Sequence, residues 1–341
     1  MSTVVTNAPK VRAPRPAPER SARAARLRAV VRDPIVIAGV VTVVLIAVGE
    51  VVSPGFAGWG QIVNMLRVAS FLGVIAAGQT IVILSGGGGI DLSAGKVATF
   101  AAIVGSRIMQ GDDGGFVAGI VVPLLLCAVI GLGNGLGVTW LKIPPFVMTL
   151  GMTGVVYGVI MVYTDGRADG RAAPALTSLV NGKLVLGLPG VLFLWVAIAA
   201  LVTWLLRRTT FGWRLFAVGA NSQAAELSGV PVRRTVIWSY VAGSVFAGLG
   251  GLLLVGYTES VMLNLADNYT MPAIAAVIIG GTLAAGGVGG YLGTAVGAVT
   301  LTVLTSLLTT LNIGEAWRTI VNGVVLVALL SLYGRQRRLR A

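Results

Sequence analysis

Long apolar stretches alternate along this chain with short polar punctuation. Runs rich in Val, Leu, Ile, Ala and Gly recur at about 17 to 25 residues each, the length an α-helix needs to cross roughly 30 Å of hydrocarbon. The pattern predicts about ten spans, at residues 35–53, 62–85, 93–109, 116–140, 145–164, 188–206, 234–257, 271–285, 289–311 and 317–333. The third, eighth and tenth run into Gly-rich or polar turns at their ends. The implied fold class is an all-α polytopic membrane protein, because helices satisfy their own backbone groups in lipid.

Composition agrees with the pattern. Of 341 residues, 56% are hydrophobic and 11% are charged, against roughly 25% charged in an average soluble domain. The net charge of +13 would suggest nucleic-acid binding in a soluble protein, but the placement of the charges argues otherwise. Eight of the 25 basic residues lie before Asp33, five lie between Arg207 and Arg234, and four lie at the C-terminal end. The positive-inside rule makes all three segments cytoplasmic. Six spans before Arg207 and four after Arg234 meet that condition, with both termini cytoplasmic. Asp112, Asp113, Asp165, Asp169, Glu259, Asp267 and Glu315 fall in the predicted outer turns. The basic leader then reads as a topology signal that also touches anionic lipid, with no nucleic-acid partner.

Three regions follow. Residues 1–33 form a basic, Pro/Ala-rich cytoplasmic leader, too polar to pack, disordered to about Ser21 and followed by a short basic helix. Residues 34–333 form the transmembrane domain, with a cytoplasmic segment at 207–234, and residues 334–341 form a basic cytoplasmic tail. The first apolar run starts only at Ile35 and reads as an anchor rather than a cleaved signal. With no His and one Cys, Cys127, neither a His-based metal site nor a disulfide framework is available. No catalytic residue and no metal ligand is expected, and Cys127 reads as a small apolar packing residue.

"SGGGGIDLSAGKV" at 85–97 invites comparison with a phosphate-binding loop. The register fails, because Ile90 stands where the first glycine belongs and Val97 where Ser or Thr should follow Gly95 and Lys96. A glycine-broken connection at membrane depth needs its backbone satisfied by protein or by a water-filled cavity. A second such break, "GGTLAAGGVGGYLGT", occupies 280–294, and paired breaks mark sites in transporters built from repeats. Asp91 is a functional candidate as an intramembrane acid, but the favoured reading makes it a cap for the helix starting near Leu92 or Ser93. Lys96, a turn later, is within reach of Asp91 or of the cytoplasmic interface. Gln79, Thr80, Asn134, Thr149, Thr153 and Thr282 are further polar groups inside spans. Asn134, within "GLGNGLG", suits close helix packing first and pathway lining second.

In "FAVGANSQAAELSGVPVRR", residues 216–234, Asn221 or Ser222 can cap a helix of about two turns that Gly229 and Pro231 stop. So short a helix is marginal alone. Its composition calls for something to dock against; the headgroup region or a neighbouring loop would serve, but a soluble partner protein explains both its composition and its cytoplasmic position.

Four stretches in this order resemble the permease subunit of bacterial ABC importers of the ribose and xylose type. They are "GQTIVILSGGGGIDLSAG", "NGLGVTWLKIPPFVMTLGM", "TTFGWRLFAVGANSQAAELSGVPV" and "AIAAVIIGGTLAAGGVGGYLGT". The likeness runs from about Gln61 to Leu332. It implies the ABC importer permease fold, a multi-pass place in the bacterial plasma (inner) membrane, and a second permease subunit. It also implies a cytoplasmic ABC ATPase that uses ATP and Mg, and an extracytoplasmic sugar-binding protein. The chain itself would bind no cofactor. The segment Gly219 to Val230 corresponds to the family's coupling helix, so Gly219, Asn221, Ala224, Ala225, Glu226, Leu227, Ser228 and Gly229 are the expected ATPase contacts. Asp91, Ser93, Asn134, Thr149 and Thr282 are candidates for pathway lining or for a structural hinge. The glycine run at 86–89 appears longer by two than the usual motif, and "GGVGG" lacks a basic residue often found there. The competing class is a stand-alone secondary transporter or channel for a small neutral solute.

Overall fold

A computed structural model describes residues 33–184, 187–314, 316–318, 320 and 323–324. The leader apart from Asp33, most of the tenth span and the basic tail lie outside those residues. Among the described residues the chain is helical, with two isolated β-bridges, Arg171 to Ser260 and Lys183 to Pro189.

Local chemistry sets the helix starts. Helix α1, Pro34–Val52, begins with Asp33 Oδ1 accepting from the Ile35 N–H at 2.9 Å and with proline at its first position, where the missing N–H costs nothing. Helices α2 (Trp59–Leu84), α3 (Ala94–Met109), α4 (Phe116–Thr139) and α5 (Pro145–Thr164) follow, the last entered through the two prolines of "IPPF". A short helix α6, Pro174–Asn181, precedes α7, Gly190–Arg208. Then come α8 (Thr210–Ala220), α9 (Ser222–Leu227) and α10 (Val232–Thr258). The chain continues with α11 (Thr270–Ile279) and α12 (Tyr291–Thr310). Seven of these are long and apolar enough to cross a membrane: α1, α2, α4 with the turn before it, α5, α7, α10 and α12.

Two of the expected spans are shorter than a crossing. The third is a 16-residue helix, and the eighth is only ten residues long instead of covering 271–285. The Gly280 to Gly290 stretch cannot continue α11 because Gly281, Gly286, Gly287 and Gly289 take positive φ values, which end a right-handed helix.

Layering follows from side-chain size. Helix α2 is buried without interruption from Ala69 to Leu84, and α10 lies against α2, α3 and α4. Small residues let the backbones meet: a Cβ on Gly78 would sit 2.5 Å from the Gly243 carbonyl oxygen, and one on Gly251 would strike that of Ala98. Such close approach is how helices associate where lipid is as apolar as the side chains. Polar ties cross the contacts. Trp195 Nε1 donates to Tyr291 Oη at 2.8 Å, and Tyr291 Oη donates to the Gly73 carbonyl at 2.9 Å, joining α7, α12 and α2. The outer ring of α1, α4, α5 and α7 instead turns bare Val and Leu outward, including Val43, Leu125, Val162 and Val196. That inversion is expected when the solvent is hydrocarbon.

Candidate functional site

The first glycine break is a tight reversal. Gly86, Gly87 and Gly88 adopt φ of 75°, 63° and 76° in succession, a left-handed run that side chains disfavour. The chain then passes back beside α2 before α3 begins. Neighbouring helices take up its freed backbone groups. Gln79 Nε2 donates to the Asp91 carbonyl, Thr149 Oγ1 donates to that of Ile90 at 3.2 Å, and Thr153 Oγ1 to that of Leu92 at 3.3 Å. This is the condition on which irregular backbone is tolerated at membrane depth.

Asp91 Oδ1 accepts from the Ser93 N–H at 2.9 Å and from Ser93 Oγ. The residue flanking α3 is Ser93 itself, without a side-chain cap, so Asp91 closes the turn just before the helix. Asn134 Nδ2 donates to Ser93 Oγ at 3.1 Å. Asp91, Ser93, Asn134 and Thr149 therefore converge on one buried clamp, while Thr282 lies apart and accepts from the Gly290 N–H at 3.3 Å in the second break. All five are at most 1% exposed, and none lines either of the two cavities described below. Asp91→Leu is expected to strand the Ser93 N–H and lower stability by about 1–3 kcal/mol. Asp91→Asn, which keeps an acceptor oxygen, should lose less; thermal unfolding of the purified protein distinguishes the two.

Lys96 corrects two expectations. Its Nζ pairs with Asp267 Oδ2 at 2.6 Å, not with Asp91 or a cytoplasmic interface, and lies 4.7 Å from the centre of the Tyr157 ring. Asp91 is turned inward to Ser93, whereas Lys96 is already in the first turn of α3, on the side that meets the start of α11. The Gly95 N–H donates to Thr270 Oγ1 at 3.0 Å, and Thr99 Oγ1 accepts from the Ala266 N–H at 3.0 Å. Asp267 is thus not in an outer turn. The segment after α10 folds back inward, and ten residues of α11 separate Asp267's end from the second break, about 15 Å at 1.5 Å per residue.

The two breaks touch each other and a third segment. The Gly287 N–H donates to the Leu84 carbonyl at 3.1 Å. Gly219, in the last turn of α8, lies between them: a Cβ there would sit 2.5 Å from the Gly287 nitrogen and strike the Leu84 oxygen. Reciprocally, a Cβ on Gly86 would be 2.8 Å from Gly219 Cα. Three backbones meet with no room for a side chain.

Directly after Gly219 comes α9. Asn221 Oδ1 accepts from the Ala224 N–H at 3.0 Å, Ser228 Oγ donates to the Ala224 carbonyl at 2.9 Å, and Gly229 at φ 80° ends the helix. Ala225 is buried, whereas Ala224, Glu226, Ser228 and Gly229 are exposed and Leu227 is 86% exposed. The short helix is as expected, but Gly219 belongs to the preceding α8, a helix absent from the sequence expectation. A cavity of about 280 Å³ opens between α9 and the first break, reached by Gly86, Gly87, Pro145, Glu226 and Tyr240. A larger one, about 810 Å³, lies between α2, α12 and the turn at Asp267.

An all-helical membrane body whose broken helices meet a short surface helix defines the class: a multi-pass transport protein. The family described as the branched-chain amino acid transport system permease component matches residues 61–330, and the chain belongs to it. It is 34% identical over 291 residues to the ribose import permease protein of Bacillus subtilis, covering 84% of this chain and 89% of that one. It is 32% identical over 311 residues to the galactose/methyl galactoside import permease protein of Escherichia coli, covering 86% and 92%. The autoinducer 2 import system permease protein of Shigella flexneri is 32% identical, covering 79% and 78%. No solved structure matches.

Sequence reasoning missed the Lys96–Asp267 pair and the role of Thr153. A lone lysine at the start of one span and a lone acid at the start of another were the available signal.

Proposed function

We propose that this chain is the membrane-spanning permease subunit of an ATP-driven importer for a monosaccharide or similar polyol, working by alternating access. The observation that carries the reading is α9, an exposed helix whose base, Gly219, is wedged between both glycine breaks. The sugar import permeases among its relatives support the substrate class. The subunit crosses the membrane many times, through the seven long helices and others that include two short ones, with both termini cytoplasmic, and it pairs with a second permease subunit. A separate cytoplasmic ATPase uses ATP and Mg, and an extracytoplasmic binding protein delivers the sugar.

Residues Gly219, Asn221, Ala224, Ala225, Glu226, Leu227, Ser228 and Gly229 form the coupling element. Asn221 and Ala225 hold the helix, and Leu227 with Glu226 meets the ATPase. Closing of the ATPases displaces α9, and Gly219 passes that movement to Leu84 and Gly287 by backbone contact. Asp91, Ser93, Asn134 and Thr149 keep the start of α3 rigid while it moves, and Thr282 does the same for α12. The ATP-favoured and resting states differ in which side the pathway opens to, and the nucleotide shifts the balance because the ATPases bind it better in one.

A stand-alone carrier or channel gives Leu227 no reason to stand in water. Expressing the chain with and without an ATPase encoded beside it tests the reading. Co-purification and ATP-dependent uptake in vesicles supplied with binding protein are the expected results. Uptake unaffected by omitting the ATPase would refute it.

A further inference from the structure

Helix α7 carries two opposite stripes. Val191, Trp195, Ile198, Val202 and Leu206 face inward and are buried, while Phe193, Val196, Leu201, Trp204, Arg207 and Arg208 are exposed on the other side. Helical spacing keeps each set together. Followed toward the helix end, the exposed stripe is apolar, then a single tryptophan, then two guanidinium groups. From Phe193 to Arg208 the rise is about 22 Å at 1.5 Å per residue. One leaflet, from midplane to the outer limit of the headgroups, is about 20–22 Å. The order matches an acyl chain, the interfacial level that tryptophan favours, and a phosphate.

A sharp corner adds a second Trp–Arg pair at the same end. Thr209 alone separates α7 from α8, its Oγ1 donating to the Leu205 carbonyl at 2.6 Å and accepting from the Gly212 N–H at 3.2 Å. A Cβ on Gly212 would lie 2.6 Å from the Leu205 carbonyl oxygen, so the first turn of α8 presses on the last turn of α7. Helix α8 buries Leu215 and Val218 and leaves Arg214 exposed and Trp213 72% exposed. All five basic residues from Arg207 to Arg234 are arginine, and Glu226 is the one acid among them. Among the described residues, Arg207, Arg208 and Arg214 take part in no ion pair. The arginine fork binds a phosphate through two parallel bonds, which a lysine cannot do.

We infer that the α7–α8 corner is a binding site for an anionic phospholipid of the cytoplasmic leaflet, with Arg207, Arg208 and Arg214 holding its phosphate. Trp204 and Trp213 flank the glycerol level, and one acyl chain runs along Val196 and Leu201. The site rests on the permease reading for its cytoplasmic side, where the leaflet carries a negative surface potential. Arg214 and Gly219 share helix α8. The lipid thus pins α8 in the membrane plane, so that displacement of α9 moves the glycine junction instead of tilting α8.

The full-length permease, without its ATPase, is titrated with phosphatidylglycerol or phosphatidylcholine and observed by native mass spectrometry. The wild type should retain phosphatidylglycerol preferentially, and Arg207→Gln, Arg208→Gln and Arg214→Gln should each weaken that binding about fivefold, the effect of losing one arginine near an anionic surface. The triple variant Arg207→Lys/Arg208→Lys/Arg214→Lys keeps the charge and the topology signal, and the basic leader is the same in all variants. It should still lose most of the preference. In proteoliposomes holding the complete complex, wild-type sugar uptake should rise when phosphatidylglycerol is mixed into phosphatidylcholine. The lysine variant should lose that rise with ATPase co-purification unchanged. Wild-type lipid preference in the lysine variant would overturn the site, leaving the arginines as a topology signal. Lost ATPase co-purification with lipid binding intact would also overturn it, giving the corner to the ATPase. Lipid binding as expected without any ATP-driven uptake would refute the permease reading and leave the lipid site standing.

Discussion

Gly219→Ala is expected to abolish import while leaving the protein in the membrane and bound to the proposed ATPase. The added methyl has nowhere to go, because its neighbours are the Leu84 carbonyl oxygen and the Gly287 nitrogen, both backbone. A flexible side chain could rotate away from such a contact, whereas two closely packed backbones must part. Overpacking of this kind costs about 1–3 kcal/mol when side chains yield, and here the yielding element is the junction between the glycine breaks. Gly287→Ala should act alike, since its φ of 73° and the Ala220 nitrogen 2.5 Å from a built Cβ both oppose a side chain. Gly158→Ala is the control: nothing lies within 4 Å of its Cβ position on α5, and uptake should be unchanged. Expression, ATPase pull-down and uptake measured together separate lost coupling from lost folding. Normal uptake by both Gly219→Ala and Gly287→Ala would remove the proposed route of coupling.

The second large effect is at the tip of the same element. Combining Glu226→Arg with Leu227→Asp is expected to dissociate the ATPase. Leu227 is 86% exposed in the isolated chain, and burying a leucine side chain stabilises by about 1.5–3 kcal/mol. Replacing it with a charge forfeits that gain and adds desolvation of the aspartate. Since each 1.4 kcal/mol is tenfold in affinity, the loss should be about tenfold or more per site. The fold itself should survive, because both side chains are exposed while Ala225 does the packing. Retained co-purification at wild-type level would show that the ATPase docks elsewhere.

Much of this was legible from residues alone, for definable reasons. Periodic apolar length gave the long crossings, because lipid leaves a helix no other way to satisfy its backbone. The start and end of α9 were readable from Asn221, Gly229 and Pro231, whose preferences are local. Asp91 was read as either a cap or a pathway acid, and the structure places it in a turn-closing bond to Ser93, a matter of one helical position that propensity does not resolve. What could not be read were contacts between distant segments. The meeting of Gly86, Gly219 and Gly287 depends on three backbones folding to one point, and composition says only that each is flexible. The length of α11 was misjudged because Thr282, Leu283 and the alanines are apolar or small enough to continue a helix, whereas Gly281, at φ 87°, already ends it before they are reached. Lys96 and Asp267 are 171 positions apart, so no local pattern joins them.

The central claim is that this chain is driven by a separate ATPase through residues 219–230. Its most direct test is ATP hydrolysis by the reconstituted complex in lipid nanodiscs, measured with and without the sugar-loaded binding protein, for wild type and for Gly219→Ala. The account predicts that the loaded binding protein stimulates hydrolysis in the wild-type complex and that the stimulation disappears in the variant although the ATPase remains bound. Equal stimulation in the two complexes would contradict it.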